Sequence, residues 1–131
     1  MICLDTNAVI AAINQREPWV RRRLERALVD GVVVGIPAIV LFKKSARARA
    51  NAAVLAVFLS LDVMPWPFEP EDAEEAGDIR AALERAGTPI RPYDVLVAAQ
   101  ARRRGAVLIT ANEREFARVA GLKTEDWALP E

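Results

Sequence analysis

Short apolar runs alternate along the chain with longer stretches in which apolar residues return every three or four positions, a pattern that predicts strands followed by helices. Ile2 to Leu4 is a brief apolar run that stops at Asp5-Thr6-Asn7. Ala8, Val9, Ile10, Ala12 and Ile13 then fall at helical spacing, so a strand feeds directly into a capped helix. Glu17-Pro18 opens a second helix, with proline at an early position where its missing N–H costs nothing, and Asp30-Gly31 closes it. Val32 to Ile36 is β-branched and short, the signature of a buried strand. Pro37 begins a helix running through Phe42 and Lys43 towards Arg49, and Asn51 caps another that reaches Asp62.

Val63 to Trp66 reads as a third short strand, ended by Pro65 and Pro67. Glu69 to Gly87 is an amphipathic helix, because Ala76, Ile79, Leu83 and Ala86 recur at three- and four-residue spacing. Its acidic start, Glu71, Asp72, Glu74 and Glu75, opposes the positive end of the helix dipole and reads as a solvated first turn. Pro92-Tyr93-Asp94 opens a further helix that ends in Arg102-Arg103-Arg104-Gly105, a basic last turn with a glycine stop. Ala106 to Thr110 is another strand, Asn112 caps a short helix, and Lys123 to Trp127 forms an edge strand. Strands alternating with helices imply an α/β fold in three layers, a mainly parallel sheet of four to five strands flanked by helices.

Composition narrows the chemistry. At 131 residues, with 53% apolar and 27% charged, the chain fits one globular domain spanning residues 1–131. No apolar run reaches the roughly 18 residues of a membrane span. Met1-Ile2-Cys3-Leu4-Asp5 has no basic region followed by an apolar stretch, so a cytoplasmic location is expected. The single Cys3 sits in an apolar tetrapeptide and reads as a buried structural thiol. Histidine is absent, which removes Ser-His-Asp and Cys-His catalysis and Cys/His zinc sites. Hydrolysis would have to use carboxylates, lysines or a metal held by oxygen. Lys plus Arg equals Asp plus Glu at 18 each, so net charge does not advertise nucleic-acid binding.

In a parallel sheet with right-handed crossovers, ligands collect beyond the carboxyl ends of the strands. Asp5 ends the first strand, Asn112 and Glu115 follow the Ala106 to Thr110 strand, and Asp94 lies in the first turn of its helix. Carboxylates gathered at one edge repel unless a cation joins them, and Mg²⁺ or Mn²⁺ is the natural occupant because it prefers oxygen ligands. Each acid also has a purely structural reading. Asp5 can serve as an N-cap, Asp94 as a dipole complement, and Asn112-x-x-Glu115 has the spacing of a capping box.

The joint pattern goes further. Leu4-Asp5-Thr6-Asn7, Ile36 to Phe42, Ile90-Arg91-Pro92-Tyr93-Asp94 through Ala99, and Thr110-Ala111-Asn112-Glu113-Arg114-Glu115-Phe116 through Leu122 resemble the signature blocks of PIN-domain ribonucleases. The likeness is greatest to the VapC toxins of bacterial toxin-antitoxin pairs, and it extends over essentially the whole chain. It implies a PIN-like fold and an Mg²⁺-dependent endoribonuclease acting on tRNA or other structured RNA. It also implies inhibition by a cognate VapB antitoxin and assembly as a homodimer. By position, Asp5, Asp94 and Glu115 match the family's metal-binding acids, and Thr6 and Asn112 match the polar residues that support them.

One block departs. Where the family has Glu-Leu-x-x-Gly after Phe42, this chain reads Lys43-Lys44-Ser45-Ala46-Arg47. Exchanging the fourth carboxylate for Lys43 takes the cluster from about −4 to about −2. Unit charges about 4 Å apart interact by about 4 kcal/mol at an effective dielectric near 20, so weakened metal affinity and low or absent nuclease activity are expected. If Lys43 and Lys44 instead snorkel to solvent, a three-carboxylate site remains. Lys43, Lys44, Arg47, Arg49, Arg80, Arg91 and Arg102 to Arg104 are candidates to hold RNA phosphates, with Arg91 the best single one, although ordinary solvated helix faces account for most such charges. The rival function is a catalytically inactive PIN-fold protein retained as an antitoxin-binding or RNA-binding partner. Val54, Leu55, Val57 and Phe58 would supply its apolar surface, or pack into the core.

Overall fold

A computed structural model gives the architecture, described for residues 1–14, 18–40, 56 and 63–128. Five strands form one all-parallel sheet: β1 (Ile2–Leu4), β2 (Val34–Pro37), β3 (Met64–Trp66), β4 (Val107–Ile109) and β5 (Lys123–Glu125). Their spatial order is β3-β2-β1-β4-β5. The helices are α1 (Thr6–Asn14), α2 (Pro18–Val29), α3 (Pro70–Arg85), α4 (Pro92–Arg103) and the single turn α5 (Glu113–Phe116). The expected parallel α/β fold is therefore present; β1 has its expected bounds, β2 starts two residues later and runs on through Pro37, and β3, β4 and β5 are each one or two residues shorter than expected.

Strand position explains strand composition. β1 is central, and Ile2, Cys3 and Leu4 are all buried, as expected for a strand covered on both faces. β3 is an edge, which admits Pro65 and leaves Met64 exposed. β5 is the other edge and alternates exposed and half-buried residues. Between β2 and β3 the packing is tight at one point: a Cβ on Gly35 would lie 1.8 Å from the Trp66 indole, so only glycine admits that ring.

α3 and α4 form an antiparallel pair on the sheet. Their facing sides, Ala76, Ile79 and Leu83 on α3 and Val95, Val97, Ala98, Ala99 and Ala101 on α4, join the core. Gln100, fully buried in α4, donates through Nε2 to Trp66 O and Pro67 O, both at 3.1 Å, and so fastens α4 to the end of β3. Gly105, at φ +65°, supplies the left-handed residue that ends α4 and turns the chain into β4.

The last turn of α4 corrects the sequence reading. Asp72 is not solvated; it has no exposed surface and receives Arg103 Nε at 2.6 Å and Arg104 Nη1 at 2.9 Å. Its Oδ2 accepts the Glu69 N–H at 2.8 Å. Glu75 pairs with Arg102 Nε at 2.5 Å. Arg102 to Arg104 therefore bind α3 rather than standing available for RNA phosphates, and Arg104 also stacks over Trp66 at 5.0 Å. Burial raises the Asp72 pKa, but the hydrogen bonds from Arg103, Arg104 and the Glu69 amide outweigh it and hold the carboxyl below its ordinary value.

The helices expected from Pro37 to Arg49 and from Asn51 to Asp62 lie almost wholly outside the described residues; 38–40 and 56 are helical. Lys43, Lys44, Arg47, Arg49, Val54, Leu55, Val57 and Phe58 fall outside them too.

Candidate active site

From β1 the chain moves through β2 to β3 on one side, while β4 and β5 lie on the other, so the strand order reverses between β1 and β4. Beyond the carboxyl ends of those two strands is the crevice where open parallel sheets place their ligands. The register pairs Leu4 with Ile109, which brings the next residues, Asp5 and Thr110, side by side. The Asp5 N–H donates to Ile109 O at 3.0 Å, continuing the ladder by one bond.

Asp5 is 5% exposed, and its carboxylate is oriented from two sides. Oδ1 accepts the Thr6 N–H at 2.8 Å at the start of α1, and Oδ2 accepts the Thr110 hydroxyl at 2.9 Å. Thr110 Oγ1 in turn accepts the Asn112 N–H at 3.0 Å, so the loop after β4 holds the hydroxyl that holds Asp5. Thr110 is a site residue that sequence reasoning missed. A buried hydroxyl ending an apolar strand, level with the acid that ends its neighbour, was the available signal.

Asp94 is 8% exposed in the first turn of α4, where the dipole favours a carboxylate. Tyr93 lies within electrostatic reach of both Asp5 and Asp94. Burial pushes its phenol up to about 12, the charges of Asp5 and Asp94 add to the rise, and the nearby Thr6 hydroxyl opposes it. Tyr93 Oη donates to Ile39 O at 2.6 Å, tying α4 to the helical residues that follow β2. Sequence reasoning quoted Tyr93 within a motif but gave it no role.

Glu115 stands differently. Asn112 Nδ2 donates to its Oε2 and the Arg91 N–H to its Oε1 at 3.3 Å. Among the described residues, no three acidic or cysteine side chains lie at metal-holding spacing. Like charges at one edge repel, and Glu115 turns to the amide donors at the start of α4 and α5. The capping-box reading of Asn112-x-x-Glu115 does not hold, because the Asn112 N–H goes to Thr110 and its side chain makes no capping bond. Arg91, exposed at the N-cap of α4, borders the same acids, whereas Lys43 lies outside the described residues. Cys3 is fully buried; burial, reinforced by Asp5, pushes its thiol far up, which keeps it protonated and inert.

The donor set suits a hard divalent cation. Asp5 and Asp94 offer carboxylate oxygens, and the buried Thr6 hydroxyl beside Asp5 lies close enough to the Tyr93 phenol to lower its pKa while making no other hydrogen bond among the described residues.

A family model for the PIN domain matches residues 2–122. The tRNA(fMet)-specific endonuclease VapC of Shigella flexneri is 37% identical over 129 residues, covering 95% of this chain and 96% of that protein. Ribonuclease VapC2 of Haemophilus influenzae is 36% identical over 128 residues with the same coverage. Among solved structures, VapBC2 from Rickettsia felis, bound to a DNA fragment from its promoter, matches with a TM-score of 0.83 and 30% identity, covering 97% of this chain and 99% of that one. DNA-bound VapBC from Salmonella typhimurium matches at 0.78 and 34% over the same shares.

Proposed function

The chain belongs to the PIN-domain family, among the VapC ribonucleases, and on that premise we propose that it is a toxin-type endoribonuclease that cuts structured RNA, tRNA foremost, with Mg²⁺ or Mn²⁺. In this reading a VapB-type antitoxin restrains it, and it works as a homodimer in the cytoplasm; none of the described helices is long and apolar enough to cross a membrane. The single observation that carries the reading is the pair of buried aspartates, Asp5 at the switch point and Asp94 in the first turn of α4, that both act on Tyr93.

The ion would be held by Asp5 and Asp94 and would supply a bound water of lowered pKa and positive charge opposite the phosphate. The chain's own residues do the rest. Thr6 N–H and Thr110 Oγ1 fix both oxygens of Asp5, so the carboxylate needs no reorganisation. Thr6 Oγ1 orients a water. Glu115 reaches the site by exchanging its bonds to Asn112 and the Arg91 N–H, and Arg91 presents its guanidinium to an RNA phosphate at the mouth. In this reading Lys43, standing where relatives carry glutamate, weakens metal binding, and it is a second phosphate contact.

Titrating Mn²⁺ into the wild type, Asp5→Asn and Lys43→Glu, with cleavage of a tRNA pool followed in parallel, tests the proposal. Metal-dependent cleavage lost in Asp5→Asn and raised in Lys43→Glu supports it. Equal affinity and equal cleavage in wild type and Lys43→Glu would remove the attenuating role of Lys43. A wild type and a Lys43→Glu variant that both leave RNA intact while binding antitoxin would favour the second reading, an inactive PIN-fold partner protein.

A further inference from the structure

Beside Asp5 is a cleft of about 230 Å³ that the metal reading does not use. It opens between the start of α1, the end of β4 and the segment after β5. Thr110, whose hydroxyl holds Asp5, forms part of its wall, and Asn7 follows Thr6 at its rim. Whatever occupies it therefore sits within one residue of the carboxylate centre.

The lining chemistry selects the occupant. Ala8, Ala11, Val20 and Ile109 make the interior apolar, and no lysine or arginine is among the described lining residues, Arg23 lying instead over the Trp127 ring. Polar groups are confined to a few points. Asn7 offers a donor and an acceptor and is exposed, and Asp126 reaches the cleft with one oxygen, Oδ1, accepting the Ala128 N–H at 2.9 Å. Trp127 closes one side of the cleft with a nearly buried indole, whose N–H goes to Glu125 at 3.0 Å and whose ring lies under the Arg23 guanidinium at 5.4 Å. Apolar walls of this size with a few edge-reading polar groups suit the flat, largely uncharged surface of one unstacked base. The cleft is smaller than the roughly 300 Å³ at which pockets for drug-sized ligands begin, and a helix about 10 Å across cannot enter it.

We propose that this cleft is a subsite for one unstacked nucleobase of the RNA, next to the scissile phosphate, and that it sets base preference at the cleavage position. The inference rests on the ribonuclease reading above for its substrate, but its test does not. In ¹H–¹⁵N spectra of the full chain, at least one of the four uncharged nucleosides shifts the amides of Ala8, Ala11 and Ala111 and the Trp127 indole N–H, while inorganic phosphate does not. Ala11→Leu, which fills the cleft, and Asn7→Ala at its exposed rim each weaken that binding, the filled variant by about tenfold or more. On a random-sequence RNA pool both variants flatten the base preference at the cut. Absence of shifts with all four nucleosides overturns the subsite, as does an unchanged base preference in a folded Ala11→Leu protein. Shifts with a leucine-rich amphipathic peptide but not with nucleosides assign the cleft to a protein partner and overturn it equally. Nucleoside binding by a protein that leaves RNA intact upholds the subsite while defeating the ribonuclease reading, so the two failures stay distinct.

Discussion

The two ends of α4 hold buried aspartates in opposite ways. At its last turn Asp72 of α3 meets two guanidinium groups, and the cluster is closed by its own ion pairs and by the Glu69 N–H. About 18 Å along the helix, at its first turn, Asp94 shares a site with Asp5, whose oxygens accept an amide N–H and a hydroxyl, both neutral. Neutral donors orient a carboxylate without cancelling its charge; guanidinium groups do both. Among the described residues, then, ion pairs lock one end of the helix, while an amide and a hydroxyl orient Asp5 at the other.

The largest expected effects separate the two ends. Asp5→Asn or Asp94→Asn lowers RNA cleavage by about a hundredfold or more while leaving the denaturant midpoint nearly unchanged, since the lost charge served chemistry rather than packing. Asp72→Ala does the reverse. It leaves Arg103 and Arg104 without their acceptor and lowers unfolding free energy by about 2–4 kcal/mol, read by urea titration, with cleavage per folded molecule retained. An Asp72 variant of normal stability, or an Asp5→Asn enzyme that still cuts, would erase the distinction.

Gly35→Ala strikes the locked end indirectly. The added methyl collides with the Trp66 indole, which Arg104 covers, and relieving that clash costs about 1–3 kcal/mol in urea. Acid probes the same cluster. Because the folded Asp72 carboxyl titrates below its ordinary value of 3.8, its contribution is complete above that value and drains away as pH falls through the lower folded one. Urea midpoints measured from pH 5 downward therefore fall more steeply for the wild type than for Asp72→Asn.

Periodicity revealed the fold because the inner strands are short apolar runs and the helices between them carry an apolar face; only the edge strand β5, Lys-Thr-Glu, is polar throughout. Sequence misjudged groups whose partners arrive from far along the chain. The acids of α3 read as a solvated first turn until Arg102 to Arg104, some 30 residues on, closed over Asp72 and Glu75. Thr110 and Tyr93 escaped notice for the same reason, since a hydroxyl says nothing of its target until register and helix packing place it. Glu115 was assigned by motif, and its bonds to Asn112 and the Arg91 N–H belong to a geometry no spacing rule encodes.

The smallest effect tests how far the open end depends on its neighbours. Tyr93→Phe deletes the bond from Oη to Ile39 O and leaves the ring's packing intact, so the loss in stability is about 1 kcal/mol. Its consequence for activity should exceed that cost. Ile39 belongs to the helical residues that precede Lys43 in sequence, and Tyr93 adjoins Asp94, so the phenol links the acidic site to the residues leading to Lys43. A coupling of that kind appears as non-additivity. In a double-mutant cycle, Lys43→Glu raises Mn²⁺ affinity less in the Tyr93→Phe background than in the wild type, because the residues that precede position 43 are no longer held to α4 through Ile39 O. Additive effects on metal affinity would confine Tyr93 to a local packing role and leave Lys43 acting through charge alone.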